Sequence, residues 1–532
     1  MIKIINGEVY DPLNKIAGEI REIWVEGGKI INPPTKPRTP VEVIDAAGML
    51  VMPGGVDIHS HIAGSKVNAG RVMRPEVHGW GEGRSLYTAE ETGHLYARMG
   101  YTTVMEAAVA PLKARHTHEE LNHIPVLDKG CYTLMGNNHL VLDCVRRKDL
   151  NTLKNVVAWL LSASRGMALK VVNAGGVENW KRGGNVRSLD DSVVEWGVTP
   201  REIITMLVEA NEALGLPHSV HLHCHNLGLP GNYRSTLETL QALEGRRVHL
   251  THLQFYSYGG KGQADFCSRA QEVAEEVNAQ PLVTVDVGQV IFGDVTTMTA
   301  DAPAQYGLYR ITGNRWISTD VNMESGAGIV PLAFRPRSPV NSIQWAVGLE
   351  LFLLIEDPWR VFLTTDHPNA GPFTMYPQVI KLLMDRDYRE EMMGSLHPKT
   401  FKRTTLAEIR REYTLSEIAV ITRAGPARAL GLKDKGHLGV GADADIAIYR
   451  KGNDWEEVFS RAAYVLKAGE LVIKDGEMVR GTWGKTFRVD TPRDPRVEKV
   501  VKDKYQRWGT VSFDNYGVED AYLPREEVIR CR

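Results

Sequence analysis

The stretch Pro53-Gly54-Gly55-Val56-Asp57-Ile58-His59-Ser60-His61 decides the reading of this chain. Side chains along a β-strand alternate between faces, so Asp57, His59 and His61 are expected to share one face. Two imidazoles side by side at a strand end form half of a site for a zinc-type ion. A solvent-facing His-x-His on an edge strand would need no metal, so the motif gains weight only if other segments bring ligands to the same place.

Outward from that stretch, residues 51–431 alternate apolar strands with amphipathic helices. Strands are expected at Val56–His61, Thr102–Ala107, Tyr132–Met135, Ala168–Asn173, Ser219–His223, Val248–His252, Leu282–Val287 and Val361–Asp366. Helices are expected at Leu150–Ser164, Pro200–Leu214 and Ala264–Asn278. Eight such units predict an α/β fold of the (β/α)8 TIM-barrel type, with chemistry at the C-terminal ends of the strands. The long gap between the seventh and eighth strands calls for an insertion, and the charged residues 375–415 for a second, helical one.

Residues 1–50 and 432–532 read differently. Short β segments punctuated by Gly7, Gly27-Gly28 and Pro33-Pro34 precede the barrel, and Ile446–Ile448, Ala463–Lys467, Glu470–Ile473 and Gly476–Val479 follow it. Neither piece encloses a core alone, so the two are expected to complete one β-sandwich from both ends of the chain. A charged tail from residue 487 is expected to wrap a surface.

Composition limits the alternatives. The 532 residues are 43% hydrophobic with a formal net charge of −2, which leaves no overall basic footprint for nucleic acid or an anionic membrane. No run reaches the ~18 apolar residues of a membrane span, and the N-terminus lacks a signal-peptide pattern. Five scattered cysteines form no Cys-x-x-Cys pair, which fits a reducing cytoplasm and argues against a cysteine-held redox cluster.

The strand ends then supply ligand-type residues. Beyond His59 and His61 come Lys170, then His221, His223 and His225, then His249 and His252, and last Asp366 in Thr364-Thr-Asp-His-Pro368. Lys170 sits in the apolar run Met167-Ala-Leu-Lys-Val-Val-Asn173, where a charged amine is costly unless it snorkels to water. Desolvated and neutral, it can add carbon dioxide to become a carbamate that bridges two metals. Asp366 has three roles open: metal ligand, proton acceptor, or helix N-cap.

Val56–His61, Lys170, His223-Cys-His-Asn226, His252, Thr364–His367 and Gly439-Val-Gly-Ala-Asp-Ala-Asp-Ile446 together resemble the amidohydrolase superfamily with a lysine carbamate. Lys170–Gly176, Leu222–Gly228, Thr251–Phe255, Tyr258–Gly260, Thr365–Asn369, Gly371–Phe373 and Ile421–Pro426 resemble one branch more closely. That branch is the hydrolytic subunit of formylmethanofuran dehydrogenase, together with its counterpart in the formyltransferase/hydrolase complex.

The resemblance implies two Zn2+ ions held by His59, His61, carboxylated Lys170, His223, His252 and Asp366. The choice of His223 rests on the family's His-x-x-Asn pattern; His221 would lie deeper and His225 beyond the strand end. His249 is expected to face away from the mouth, in the core or behind the ligands. The implied reaction interconverts an N-formyl amine of methanofuran type with formate and the free amine, Asp366 moving the proton. The implied partners are the other members of a formylmethanofuran dehydrogenase complex, including one that carries tungsten or molybdenum, and no redox cofactor belongs to this chain. A hydrolase subunit of a formyltransferase complex and a dihydropyrimidinase- or dihydroorotase-like ring hydrolase are the alternatives.

Methanofuran-type carriers end in carboxylates, so a basic rim is expected after the first and fourth strands: Arg71, Arg74, Arg84, Lys181, Arg182 and Arg187. Asn173 and Asn369, inside two of the motifs, are further candidate substrate contacts.

Overall fold

The computed structural model describes residues 1–37, 40–74, 76, 84–319, 321 and 323–532. Its centre is a parallel barrel. The strands are β1 (Gly55–Ser60), β2 (Tyr101–Val109), β3 (Asp128–Leu134), β4 (Ala168–Val172), β5 (Val220–His223), β6 (Val248–Leu250), β7 (Val283–Asp286) and β8 (Val361–Phe362). Each pairs in parallel with the next. The ring closes where Ser60 bridges His367 and the His61 N–H donates to the His367 carbonyl at 2.7 Å. All eight expected strands are present, and Leu150–Ser164 and Pro200–Ala213 are helical as their apolar periodicity requires. The third expected helix begins later, at Ala270, because the residues before it form turns and a short strand pair.

The expected parity of the opening stretch fails at one residue. Pairing between β1 and β2 shifts register between Asp57 and Ser60. Such a bulge breaks the two-residue repeat. Asp57 accepts hydrogen bonds from Tyr96 and Tyr376, each at 2.6 Å, while His59 and His61 line the cavity.

The insertion after β7 is an antiparallel sheet of Gly293–Thr299, Ile317–Ser318 and Gly328–Phe334, with the helix Ala302–Thr312 packed on it. The second insertion holds the helices Tyr376–Met384 and Arg386–Gly394. Not all of its charge is solvated, since Arg389 is buried and donates to the carbonyls of Leu382 and Arg411.

Both chain ends build one sheet. Strand Ile446–Arg450 pairs antiparallel with Met49–Pro53, joining the N-terminal strands to Tyr464–Lys467 and Glu470–Lys474 around a separate apolar core that includes Ile4, Val51, Ile446 and Leu466. The aspartates of the Gly439–Ile446 motif tie this sheet to the barrel: Lys435 and Lys467, both buried, share Asp445 and also meet Asp128 at the start of β3. The tail packs on the barrel. Thr486–Asp490 and Glu526–Arg530 pair in parallel, and the first also pairs with β3 at Lys129 and Gly130. Among the described residues no helix is long and apolar enough to cross a membrane.

Candidate metal centre

The C-terminal ends of the barrel strands open into a cavity of about 780 Å³. His59, His61, Lys170, His223, His252 and Asp366 all line it. Asp366 Oδ1 lies 2.9 Å from His59 Nε2 and 3.3 Å from His61 Nε2. His223 Nδ1 lies 3.2 Å from His252 Nε2. Ligand atoms of His59, His252 and Asp366 fall within 4.8 Å of one another.

The backbone is bent to achieve this. His252 and Asp366 have left-handed φ of 37° and 46°. Each such non-glycine residue costs about 1–3 kcal/mol, and the barrel must hold it in place. Asp286 contributes that hold: its carboxylate accepts the His252 N–H at 2.9 Å and the Thr364 hydroxyl at 2.7 Å. Gly288 has φ +67°, and a Cβ there would stand 2.5 Å from the His252 Cβ. Glu106 does the same for β1, accepting the N–H groups of Ile62 and Ala63 at 2.8 and 3.0 Å and reaching Lys66 Nζ at 2.6 Å and His61 Nδ1 at 3.3 Å. Burial would raise the Glu106 carboxyl, but Lys66 and His61 carry it down to about 2.

The donor set fits divalent metals. Burial pushes His59 and His252 down to about 3, so their rings are neutral and carry lone pairs. Burial also pushes the Lys170 amine down to about 7 against the pull of Asp286 and Asp366. Lys170 Nζ, His59 Nε2 and Asp366 Oδ1 are buried without a hydrogen-bond partner. Buried lone pairs facing one another are costly unless a cation lies between them, and this mixture of nitrogen and oxygen donors suits a zinc-type ion.

The other strand-five histidines lie elsewhere. His225 Nε2 is 3.1 Å from the Ala174 carbonyl oxygen and does not line the cavity. His221 lies one layer deeper, level with Lys170 on β4 and His249 on β6. His249 sits behind the ligands, but it does not turn away from the barrel axis: its ring centroid is 4.5 Å from that of His221, and its Nε2 lies 3.0 Å from Asp286. Among the described residues Asp366 caps no helix.

Of the expected substrate contacts, Asn369 and Arg187 line the cavity. Asn173 is buried one step behind it, donating to Asp301 at 2.9 Å. The remaining basic residues are engaged elsewhere: Arg71 with Glu120, Arg74 with Glu76, Arg84 with Glu91, Lys181 with Glu178 and Arg182 with Glu195.

Three acidic residues belong to none of the motifs. Glu106 and Asp286 lie in apolar strands, the same signal that marks Lys170. Asp301, on the insertion, lines the cavity with Oδ2 3.4 Å from His223 Nε2, and burial pushes its carboxyl up to about 6. Apolar side chains of the same insertion, Leu308, Ile311, Leu332 and Phe334, form much of the outer wall.

A model of the Amidohydrolase family matches residues 42–480. Protein FwdA of Methanocaldococcus jannaschii is 47% identical, the match covering 99% of this chain and 98% of that protein. The A subunit of the formyltransferase/hydrolase complex Fhc of Methylorubrum extorquens is 41% identical over the whole of both. The crystal structure of the formyltransferase/hydrolase complex FhcABCD from that organism, with methylofuran, contains a chain that superposes with a TM-score of 0.95 at 40% identity over the full length of both chains. N-acyl-D-glutamate deacylase from Bordetella bronchiseptica, at 14% identity and a TM-score of 0.53, shares the fold alone. With a barrel whose strand ends gather histidines, a lysine and an aspartate, and with these matches along its length, the chain belongs to the amidohydrolase family.

Proposed function

We propose that this chain is the hydrolytic subunit of a formylmethanofuran dehydrogenase complex, interconverting an N-formyl amine of methanofuran type with formate and the free amine. The observation that carries this reading is full-length identity of 47% to protein FwdA and 41% to the Fhc relative, whose complex has been solved with methylofuran, together with a cavity lined by every residue of the ligand set. His59, His61, Lys170 as its carbamate, His223, His252 and Asp366 would hold two zinc ions. When bound, such a pair polarises a carbonyl oxygen and acidifies water.

The chain's own groups do the rest. Asp366, whose Oδ1 faces His59 Nε2 and His61 Nε2, is the carboxylate placed to take a proton at the metal position. It takes that proton from the attacking water and returns it to the departing amine nitrogen. In the other direction it deprotonates the amine that attacks formate. Asn369 and Arg187 stand on the wall where the carrier must lie, and the arginine fork suits a carboxylate of that carrier. The apolar wall from the insertion suits the carrier's ring portion and keeps bulk water out.

Condensing formate with an amine in dilute water is unfavourable, so the synthetic direction needs formate delivered at high effective concentration by a neighbouring subunit. The proposal therefore places carbon dioxide reduction, at tungsten or molybdenum, in a partner of this chain. It also places the protein in the cytoplasm and in methanogenic one-carbon metabolism, in keeping with five unpaired cysteines and the archaeal relative.

The test is formate release from the N-formyl carrier by the full-length chain purified with its accompanying subunits. Turnover of that carrier supports the reading, and turnover of a dihydropyrimidine ring with none of the formyl carrier overturns it. A formyltransferase co-purifying in place of a metal-pterin subunit would move the chain to the hydrolase complex.

A further inference from the structure

Three buried imidazoles run in file from the cavity floor into the barrel. His59 Nδ1 is 2.8 Å from His221 Nε2, His221 Nδ1 is 3.1 Å from His218 Nε2, and His218 Nδ1 is 2.9 Å from the Ala429 carbonyl oxygen. Barrel interiors are ordinarily filled by bulky branched residues. Rings of this polarity at 1% exposure or less must be hydrogen-bonded to be tolerated.

The far end of the file sets the position of every proton in it. Ala429 lies in the last turn of the helix Gly425–Leu430, where carbonyls lack partners within the helix, and a carbonyl can only accept. His218 Nδ1 therefore carries the hydrogen. A neutral imidazole has one N–H, so His218 Nε2 accepts from His221 Nδ1, and His221 Nε2 accepts from His59 Nδ1. His59 Nε2 is left with its lone pair facing Asp366. Any other assignment sets two N–H groups or two lone pairs against each other, or charges a buried ring. Asp286 Oδ2, 3.8 Å from both nitrogens of the upper junction, favours the proton that lies there. Thr251 Oγ1 also touches His59 Nδ1 and can accept from the same N–H.

We propose that His221 and His218, anchored on the Ala429 carbonyl, are positioning residues that hold His59 as its Nδ1–H tautomer and keep the Nε2 lone pair aimed at the metal position. The inference rests on the two-metal reading above. It adds a function for the deep histidines and gives the helix Gly425–Leu430 a part in the site.

The test is metal affinity, independent of turnover. The full-length chain with its accompanying subunits is titrated with Zn2+ and with Co2+ against a competing chelator, and the cobalt absorption spectrum is recorded. His218→Leu is expected to weaken binding by about 10–100-fold and to alter the cobalt spectrum. His218→Gln, whose amide can accept from His221 and donate to Ala429, is expected to bind within about threefold of the wild type. His218→Phe fills the same space without nitrogen and takes the place of His218→Leu if that variant does not fold. Wild-type affinity in both His218→Leu and His218→Phe overturns the proposal, as does an equal loss in a folded His218→Gln. If the wild-type chain holds no metal, the two-metal reading falls and the file falls with it.

Discussion

Asp366 Oδ1 faces His59 Nε2 across 2.9 Å, and neither atom has a hydrogen-bond partner. The carboxylate is ionised and the imidazole neutral, so the contact is one lone pair against another. That arrangement suits a residue that ligates a cation with one oxygen and handles a proton with the other. Asp366→Asn keeps a ligating oxygen and loses the base. It is expected to retain most of its metal while kcat falls by about 10²–10⁴-fold, as assayed by formate release alongside elemental analysis.

Lys170 separates metal assembly from proton transfer. Its amine has no hydrogen-bond partner and is pushed down to about 7, so a large neutral fraction is available to carbon dioxide near neutral pH. Lys170→Ala is expected to bind fewer zinc ions and to lose activity in proportion. Wild-type protein stripped of metal and reloaded in buffer free of carbon dioxide is expected to recover less activity than protein reloaded with bicarbonate. Equal recovery in both buffers would remove the carbamate from the mechanism.

Arg187 is the one arginine among the described residues that lines the cavity, whereas Arg71, Arg74, Arg84 and Arg182 hold acidic neighbours. Arg187→Gln is expected to raise the KM for the carrier with little change in kcat, because it removes binding shared by ground and transition states. Arg182→Gln is expected to leave both constants unchanged. Steady-state kinetics over a carrier series decides the point.

The barrel and the gathering of histidines, a lysine and an aspartate at its strand ends were legible because apolar runs and two-residue parity survive in sequence, and a lysine or histidine inside such a run stands out. The misplacement of Asp57 has a specific cause: a bulge is one residue of register, which composition does not encode. Of the expected basic rim, Arg187 lines the cavity while the other members pair with acidic neighbours. A solvated arginine and one paired across the fold look alike in sequence, and the partners of Arg71 and Arg182 are Glu120 and Glu195. Asp301 was hidden because it lies on an insertion outside the strand rhythm. Glu106 and Asp286 were not hidden, since each is an acid in an apolar strand, the feature already used for Lys170.

The ion cluster beneath the barrel gives a stability test independent of catalysis. Asp128 is fully buried and meets both Lys435 and Lys467, with Lys467 Nζ at 2.6 Å. Burial would raise its carboxyl, but the two ammonium groups hold it well below the usual carboxylate range. A carboxyl depressed in the folded state contributes stability that is present above its unfolded value, about 4, and lost as pH falls through the folded one. Lys435 has the opposite sign. Asp128, Asp445 and Asp443 raise it well above an ordinary lysine despite burial, so its contribution is present below about 10 and lost only at higher pH. Between those limits the cluster contributes fully. Asp128→Asn leaves both ammonium groups buried with fewer anions, which costs about 3–5 kcal/mol at neutral pH. Because the wild type loses the same contribution in acid, the gap in Tm between wild type and Asp128→Asn is expected to shrink as pH is lowered below about 4. A gap that stays constant from neutral pH into that range would mean that Asp128 contributes through packing and not through charge.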